Sequence, residues 1–266
     1  MQQLYIVKIG GNIVDDEAAL SSFLHAFSKI EAPKILVHGG GKLATRLAEA
    51  MGVQQQMVDG RRITDAETLK IVTMVYAGYI NKNIVAQLQQ NGCNAIGISG
   101  ADGNAILAHK RVKNDEAGVS IDYGFVGDVD AVNASFIQNL LEQQLTPVIA
   151  PISHNAEGQL LNTNADTIAQ ETATAMSAIY NTTLIYSFEK SGVLLDTNDE
   201  NSVIKEIRPG YYRELKMNKL IFAGMIPKLD NAFSAINKGV TKVIIGKANH
   251  LNELIQGSSG TTISNE

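Results

Sequence analysis

Near its start the chain reads Leu4-Tyr5-Ile6-Val7-Lys8-Ile9-Gly10-Gly11-Asn12, and further on it reads Lys34-Ile35-Leu36-Val37-His38-Gly39-Gly40-Gly41-Lys42. In both stretches a short run rich in β-branched residues, typical of a buried strand, ends in consecutive glycines. Each is followed by a segment with the apolar spacing of a helix. Strand, glycine turn and helix in succession predict an α/β fold with a largely parallel sheet.

The same alternation continues along the chain. We predict strands at residues 4–9, 34–38, 94–99, 147–151, 182–187 and 242–245. We predict helices at residues 17–30, 43–51, 66–90, 134–143, 165–178 and 226–238, with Asp16, Asp65 and Asn164 as N-caps. Glycine-punctuated extended segments at 52–64 and 105–127 predict β-hairpins beside the sheet, suited to forming a lid. A second run of strands begins near Tyr180, so two lobes would cover residues 1–179 and 180–266.

Composition excludes several classes of protein. The chain has 266 residues, is 45% hydrophobic and carries a formal net charge of -5, which argues against a nucleic-acid surface. The single cysteine, Cys93, excludes an intrachain disulfide framework and fits a reducing compartment. The start has no signal-peptide pattern, and no apolar run approaches the roughly 20 residues that span a bilayer. We therefore expect a cytoplasmic protein without membrane segments.

The two glycine turns indicate an anion site. In open α/β sheets ligands bind outside the carboxyl ends of the strands, and glycines let backbone N–H groups approach a phosphate at a helix N-terminus. The Gly10-Gly11 turn alone is often a plain tight turn, whereas the triple glycine at 39–41 is harder to explain structurally because each glycine adds unfolded-state entropy. The ammonium group of Lys8 is placed to reach the same anion.

Two nucleotide motifs resemble this region without fitting it. Gly39-x-Gly41-x-x-Ala44 matches the dinucleotide fingerprint of a dehydrogenase, and Asp59 lies 20 residues beyond Gly39. That fingerprint belongs on the first strand-to-helix turn, and it leaves the earlier glycine turn unexplained. The Walker A loop fails because Leu43 follows Lys42 where Ser or Thr is required.

Three further segments carry candidate site residues. Leu161-Asn162-Thr163-Asn164-Ala165-Asp166 opens an apolar helix, and Asn162 and Asp166, four apart, could face one site; the alternative is simple helix capping. Gly224-Met225-Ile226-Pro227-Lys228 places a lysine in the first turn of a helix, where the helix dipole disfavours a cation unless an anion compensates it. Arg61-Arg62 either offers a guanidinium group to bind a carboxylate or is an ordinary pair of arginines on a surface turn.

Together, Lys8-x-Gly-Gly, His38-Gly-Gly-Gly, Gly60-Arg-Arg-Ile-Thr, Asn162-Thr-Asn-Ala-Asp and Gly224-Met-Ile-Pro-Lys resemble, in order and spacing, the amino-acid kinase family, and within it the branch that acts on acylated glutamate. The resemblance covers nearly the whole chain. It implies an open αβα sandwich, an N-terminal lobe for a small-molecule amino-acid substrate and dimerisation, and a C-terminal lobe for ATP with Mg²⁺. It further implies transfer of the γ-phosphate to the side-chain carboxylate of N-acetyl-L-glutamate, the second step of arginine biosynthesis.

The resemblance also implies roles for individual residues. Lys8 and Lys228 would neutralise the transferring phosphoryl group, and Asp166 would hold both ammonium groups. Four glycines would donate N–H groups to the phosphates and the attacking carboxylate: Gly10, Gly11, Gly40 and Gly41. Arg62 and Asn162 would bind the substrate, and Glu189 and Gly192 the nucleotide. No metal cage is expected, because Mg²⁺ arrives with ATP.

The chain departs from the family in two places. Phe188-Glu189-Lys190-Ser191-Gly192 stands where a Thr/Ser-Asp-Val-x-Gly turn is usual, so Glu189 replaces the Asp. Because only Met1 to Gln3 precede the first strand, we expect no N-terminal helix of the kind that links arginine-inhibited hexamers, and we expect a homodimer that arginine does not inhibit. Three alternatives remain: N-succinyl-L-glutamate as acceptor, the substrate of another family branch, and a non-catalytic sensor.

Overall fold

A computed structural model describes residues 1–58, 61–114, 120–218, 220–221 and 225–265 of the chain. Its strands are β1 Gln3–Ile9, β2 Lys34–His38, β3 Met57–Val58, β4 Arg61–Arg62, β5 Ala95–Ile98, β6 Ile106–Asn114, β7 Ser120–Val132, β8 Thr146–Ile149, β9 Ile152–His154, β10 Leu160–Thr163, β11 Asn181–Phe188, β12 Glu206–Ile207, β13 Lys242–Lys247 and β14 Thr261–Ile263. Its α-helices are α1 Gly11–Val14, α2 Glu17–Ser28, α3 Gly41–Ala50, α4 Ala66–Thr73, α5 Asn81–Gln90, α6 Ala134–Glu142, α7 Ala165–Met176, α8 Pro209–Met217, α9 Ile226–Asn237 and α10 Leu251–Gln256. Short 3₁₀ turns lie at Asp102–Asn104 and Ala248–His250.

Within the described residues, one sheet of eight strands runs in the order β12-β14-β13-β11-β1-β2-β8-β5. Neighbouring strands from β13 to β5 are parallel, whereas β14 is antiparallel to β13 and carries β12 parallel to itself. All six strands that we predicted lie in this sheet, and its mostly parallel character is confirmed. The strand β1 lies between β11 and β2, so residues that follow all three strands can contribute to one site at the carboxyl end of β1.

Helices cover both faces of the sheet. Alternate residues of β1 point to opposite faces, as the two-residue period of a strand requires, so that Leu4 and Ile6 join one buried cluster and Val7 and Ile9 the other. The first cluster includes residues of α6, α7, α8 and α9; the second includes residues of α2, α3, α4, α5 and α10. The predicted αβα sandwich is confirmed.

The three predicted N-caps are confirmed by hydrogen bonds. Asp16 accepts from the backbone N–H of Ala19 at 3.0 Å, and Asp65 accepts from that of Thr68 at 2.7 Å. The side chain of Asn164 accepts from the N–H groups of residues 166 and 167, at 2.8 and 3.1 Å. These caps satisfy donors that the first helical turn leaves without partners, and they fix where α2, α4 and α7 begin.

The two predicted hairpins are present, β3 with β4 and β6 with β7, both antiparallel. The β6–β7 hairpin is part of a larger unit that the sequence did not reveal, a four-stranded closed barrel in the order β10-β7-β6-β9. Backbone hydrogen bonds join the barrel to the chain after β4: Thr64 N–H donates to Tyr123 O at 3.0 Å, and Phe125 N–H donates to Thr64 O at 2.6 Å. The barrel therefore fixes the position of the segment that carries Arg62.

The predicted helix at 66–90 is continuous, but its middle part is not α-helical. Between α4 and α5 the segment Met74–Ile80 is a π-helix, and the helical backbone continues through it into α5. The helices α8 and α10 and the edge strands β12 and β14 were not predicted.

Candidate active site

The two glycine turns lie against each other at the carboxyl ends of β1 and β2. Gly39 N–H donates to Ile9 O at 3.1 Å, and a Cβ placed on Gly11 would lie 3.8 Å from the backbone nitrogen of Gly41. Parallel neighbouring strands end at the same edge, which is why the two turns meet. The structure thus brings together the backbone groups of both predicted anion-binding turns.

Gly40 cannot be replaced without strain. Its φ is +155°, and a Cβ there would lie 2.3 Å from Cδ1 of Ile80. Gly10 differs, because a Cβ there would meet nothing within 4 Å. Gly40 therefore allows the turn to pack closely against Ile80, whereas Gly10 borders open space.

Asp166 bridges two lysines. Lys8 Nζ, from β1, lies 2.7 Å from Asp166 Oδ1, and Lys228 Nζ, from the first turn of α9, lies 3.3 Å from Asp166 Oδ2. The three side chains are 14%, 34% and 24% exposed for Lys8, Lys228 and Asp166 respectively, so the cluster is shielded yet reachable. These three predicted catalytic residues, more than 60 positions apart at the nearest, therefore form one cluster.

The charge balance of the cluster explains the pKa of Asp166. Burial pushes this pKa upward, but the ammonium groups of Lys8 and then Lys228 outweigh burial and lower it to about 2. The carboxylate is therefore ionised across the physiological range. The Asp166 carboxylate also offsets the unfavourable interaction between the Lys228 ammonium group and the positive end of the α9 dipole. It is therefore an anion of the kind that we predicted beside Lys228.

Our spacing argument for Asn162 and Asp166 was wrong. Asn162 lies on β10 and Asp166 on α7, so they do not share a helical face. Asn162 Nδ2 donates to Thr64 Oγ1 at 3.0 Å and borders a cavity, whereas Asp166 meets the lysines. The capping alternative is confirmed for Asn164, and Asp166 lies in the first turn of α7, from which it also reaches the two lysines.

A cavity of about 190 Å³ opens beside the glycine turns. Its walls include four predicted residues, Gly40, Gly41, Arg62 and Asn162, together with Met57, Tyr76 and Val126. Arg62 is only 8% exposed, and its Nη2 donates to Gly41 O at 2.9 Å and to Thr45 Oγ1 at 2.8 Å, while Nη1 donates to Gln55. These bonds hold a buried guanidinium at the cavity wall, where an anionic ligand would neutralise it.

A second cavity, of about 500 Å³, contains the predicted nucleotide residues Glu189 and Gly192 in its lining, with Lys228 and Met225. A Cβ on Gly192 would lie 2.7 Å from Thr261 Oγ1, so this position requires glycine. Lys228 lines this cavity and contacts Asp166, whose neighbour Ala165 lines the smaller cavity. The lysine cluster therefore lies between the two cavities.

Sequence reasoning missed three site residues. Tyr76 looks like any apolar residue of a long helix. His38 is fully buried, with Nδ1 2.8 Å from Gly39 O and Nε2 3.2 Å from Asn81 Nδ2, and burial is the main cause that lowers its pKa to about 4. Glu200, in a polar loop, accepts hydrogen bonds from Lys190 and Ser191 beside the larger cavity. Only His38, next to the triple glycine, gave a usable signal.

Some predicted features lie outside the described residues: Asp59, Gly60, the side chain of Arg61, and Gly224. In the part of the chain that is described, no three His, Cys, Asp or Glu side chains group as metal ligands. In that same part, none of the helices combines the length and apolar character needed to cross a membrane.

Comparison with known proteins identifies the family of this chain. The model of the amino acid kinase family matches residues 3–247. The acetylglutamate kinase of Cytophaga hutchinsonii is 57% identical over 256 residues, 96% of this chain and 95% of that protein, and that of Phocaeicola vulgatus is 54% identical over 262 residues, 98% of each. A solved structure of carbamate kinase from Giardia lamblia bound to AMP-PNP superposes with a TM-score of 0.70 at 13% identity, covering 100% of this chain and 99% of that one, a likeness of fold. The chain belongs to the amino acid kinase family.

Proposed function

We propose that the protein transfers the γ-phosphate of ATP to the γ-carboxylate of N-acetyl-L-glutamate, forming N-acetyl-L-glutamyl 5-phosphate in the second step of arginine biosynthesis. The observation that carries the proposal is the Lys8–Asp166–Lys228 cluster between two cavities. The names of the relatives, acetylglutamate kinase at more than half identity and nearly full length, support the choice of acceptor.

The chemistry needs no general base, because a carboxylate nucleophile is already ionised at neutral pH. The protein must position the two reactants and neutralise charge on the phosphoryl group. Lys8 and Lys228 approach that group from β1 and from α9, and Asp166 keeps their ammonium groups apart and oriented. Backbone N–H groups of Gly10, Gly11, Gly40 and Gly41 then donate to the phosphates and the acceptor carboxylate.

Each cavity takes one substrate in this scheme. Arg62 binds the α-carboxylate and Asn162 the amide of the acyl amino acid in the smaller cavity, and Glu189 and Gly192 border adenosine in the larger one. Mg²⁺, bound to the ATP phosphates, supplies further charge neutralisation. The first 179 residues form the acceptor and dimerisation lobe, residues 180–266 form the ATP lobe, and the enzyme works in the cytoplasm as a homodimer.

The test is ADP release with ATP and Mg²⁺, offering N-acetyl-L-glutamate and N-succinyl-L-glutamate in parallel. Lys8→Ala and Lys228→Ala should each lower kcat by on the order of a hundred-fold to a thousand-fold, as loss of one charge-stabilising donor does. Lys70→Ala is the matched control, since Lys70 is an exposed lysine paired with Glu67.

The acceptor that is phosphorylated faster shows which acyl group the enzyme prefers, acetyl or succinyl. Turnover of neither acceptor, or full activity in both site variants, would refute the proposal.

A further inference from the structure

The π-helical segment Met74–Ile80 faces the triple-glycine turn. A π-helix bonds residue i to residue i+5 and turns less per residue than an α-helix, so residues five apart approach one face. In an α-helix they would be separated by about 140°. Tyr76 and Asn81 are five apart, and both meet the turn: Tyr76 packs beside Gly40, and Asn81 contacts His38.

This segment brings the Tyr76 hydroxyl to the smaller cavity. The side chain is 5% exposed and lines that cavity, with its ring packed on the turn: a Cβ on Gly40 would lie 3.2 Å from Tyr76 Cδ1. A Cβ on Gly41 would lie 3.9 Å from Tyr76 Oη and 3.8 Å from Arg62 Nη2. Hydroxyl and guanidinium therefore converge on the first residue of α3.

The Arg62 guanidinium has little donor capacity left. Of its five N–H groups, Nη2 donates to Gly41 O and to Thr45 Oγ1, and Nη1 donates to Gln55. Among the described residues at most two N–H groups remain, and Arg62 also donates to the Tyr76 hydroxyl, whereas a carboxylate offers about four acceptor positions. A carboxylate bound here therefore has room for another donor.

Tyr76 can supply that donor. Arg62 donates to the Tyr76 hydroxyl oxygen, whose own proton has no acceptor among the described residues. Burial raises the pKa of Tyr76 above its ordinary value, although the neighbouring Arg62 opposes the shift, so the proton stays on the oxygen at neutral pH. A buried hydroxyl with its proton unused, at a cavity wall beside a cation, is suited to bind an anionic ligand.

We propose that the Tyr76 hydroxyl donates to the same substrate carboxylate that Arg62 binds, the α-carboxylate of an N-acylated amino acid, and so determines specificity for that substrate. The inference rests on the proposed function. It makes Tyr76 a substrate-contacting residue, delivered by the π-helical turn.

Tyr76→Phe tests the contact, because it removes one oxygen and keeps the ring on Gly40. The KM for N-acetyl-L-glutamate should rise about ten-fold to a hundred-fold, the range for a hydrogen bond to a charged group. The KM for ATP, the kcat and the melting temperature should stay close to those of the unmodified protein. Tyr79→Phe is the matched control, since Tyr79 lies in the same π-helix and is 65% exposed.

A substrate analogue identifies the group that is contacted. 4-Acetamidobutyrate keeps the acyl amide and the reacting carboxylate but lacks the α-carboxylate, so its inhibition constant should be the same for Tyr76→Phe and the unmodified protein. An unchanged KM for N-acetyl-L-glutamate in Tyr76→Phe, or an equal loss with the analogue, would overturn the inference alone. Absence of turnover by the unmodified protein would overturn the proposed function and the inference with it.

Discussion

Asp166 contributes to stability as well as to the site. Its pKa of about 2 lies below the ordinary value of 3.8, so its ionised form is favoured in the folded state. A depressed pKa adds stability that is present above the unfolded value and is lost as the pH falls through the folded one. The shift corresponds to about 2 kcal/mol at pH 7.

We therefore expect Asp166→Asn to lower the free energy of unfolding at pH 7 by about 2 kcal/mol, and the deficit to shrink as the pH falls from about 4 towards 2. Urea unfolding at pH 7 and at pH 3 measures both. Glu49→Gln, an exposed carboxylate, is the control and should show little change at either pH. A deficit that is the same at both pH values would contradict the assigned cause.

Gly40 gives a second prediction at the scale of one residue. Gly40→Ala introduces a Cβ at a φ of +155° against Ile80, so the triple-glycine turn must shift. We expect kcat/KM to fall on the order of a hundred-fold, as a displacement of about 1 Å in a positioning group does. Gly210→Ala in α8, where a Cβ meets nothing within 4 Å, should leave kcat/KM unchanged. Comparable kinetics for the two variants would show that the turn tolerates a side chain.

At the scale of elements, Glu200 ties together the loop that borders the larger cavity. Its carboxylate accepts from Lys190 Nζ at 3.0 Å and from Ser191 Oγ at 2.6 Å and N–H at 3.2 Å, and these bonds, the Ser191 hydroxyl first, lower its pKa to about 2. The Glu200 carboxylate therefore stays ionised at every pH at which the enzyme would work. It keeps residues 196–201 folded against residues 190–192.

Glu200→Gln should raise the KM for ATP several-fold and leave the KM for the acyl amino acid unchanged, because only the wall of the larger cavity loosens. Steady-state kinetics with each substrate varied in turn separates the two constants. Glu206→Gln, which removes an exposed pair with Arg208, is the control. A parallel rise in both KM values would count against a role confined to the nucleotide.

Much of this architecture could be predicted from local sequence. The six strands and the N-caps Asp16, Asp65 and Asn164 follow from short-range patterns that the tertiary structure only reinforces. The strands β12 and β14 are two and three residues long, and they form only because β13 offers an edge. The π-helix was missed because Tyr76 and Asn81 gain their common face from packing on Gly40 and His38, which lie far away in sequence.

The candidate site was predicted differently. The glycine turns and the helix start at Lys228 indicated an anion site on physical grounds. The lysine–aspartate cluster came from the family resemblance, since nothing local links Lys8 to Asp166. Tyr76 and Glu200 could be recognised only from their surroundings in the folded chain, because a helical tyrosine and a loop glutamate have many ordinary explanations.

At the scale of the whole molecule, exposed apolar side chains support the proposed homodimer. The helix α3 packs on the π-helix; Leu47 of α3 is 41% exposed, its C-cap Met51 is 59% exposed, and Met74 of the π-helix is 57% exposed. Exposed apolar side chains on neighbouring elements are the kind of surface that a partner subunit would cover. The same two elements carry Gly41 and Tyr76.

Light scattering should give a mass of about twice the 28.6 kDa of one chain. Met74→Glu should shift the protein towards monomer, because it places a charge in the apolar face. Met217→Glu, at a methionine of α8 that is 81% exposed, should leave the mass unchanged. A monomer in the unmodified protein would refute the homodimer.

The Lys8–Asp166–Lys228 bridge has a consequence for the moment at which ATP arrives. Each ammonium group has the Asp166 carboxylate as a negative neighbour, so the site holds its own substitute for a phosphate. The incoming phosphoryl group then meets cations that are partly shielded from water and already held in place by Asp166. Little reorientation of charge is left for the reaction step, and that rearrangement is the one that slows phosphoryl transfer in bulk water.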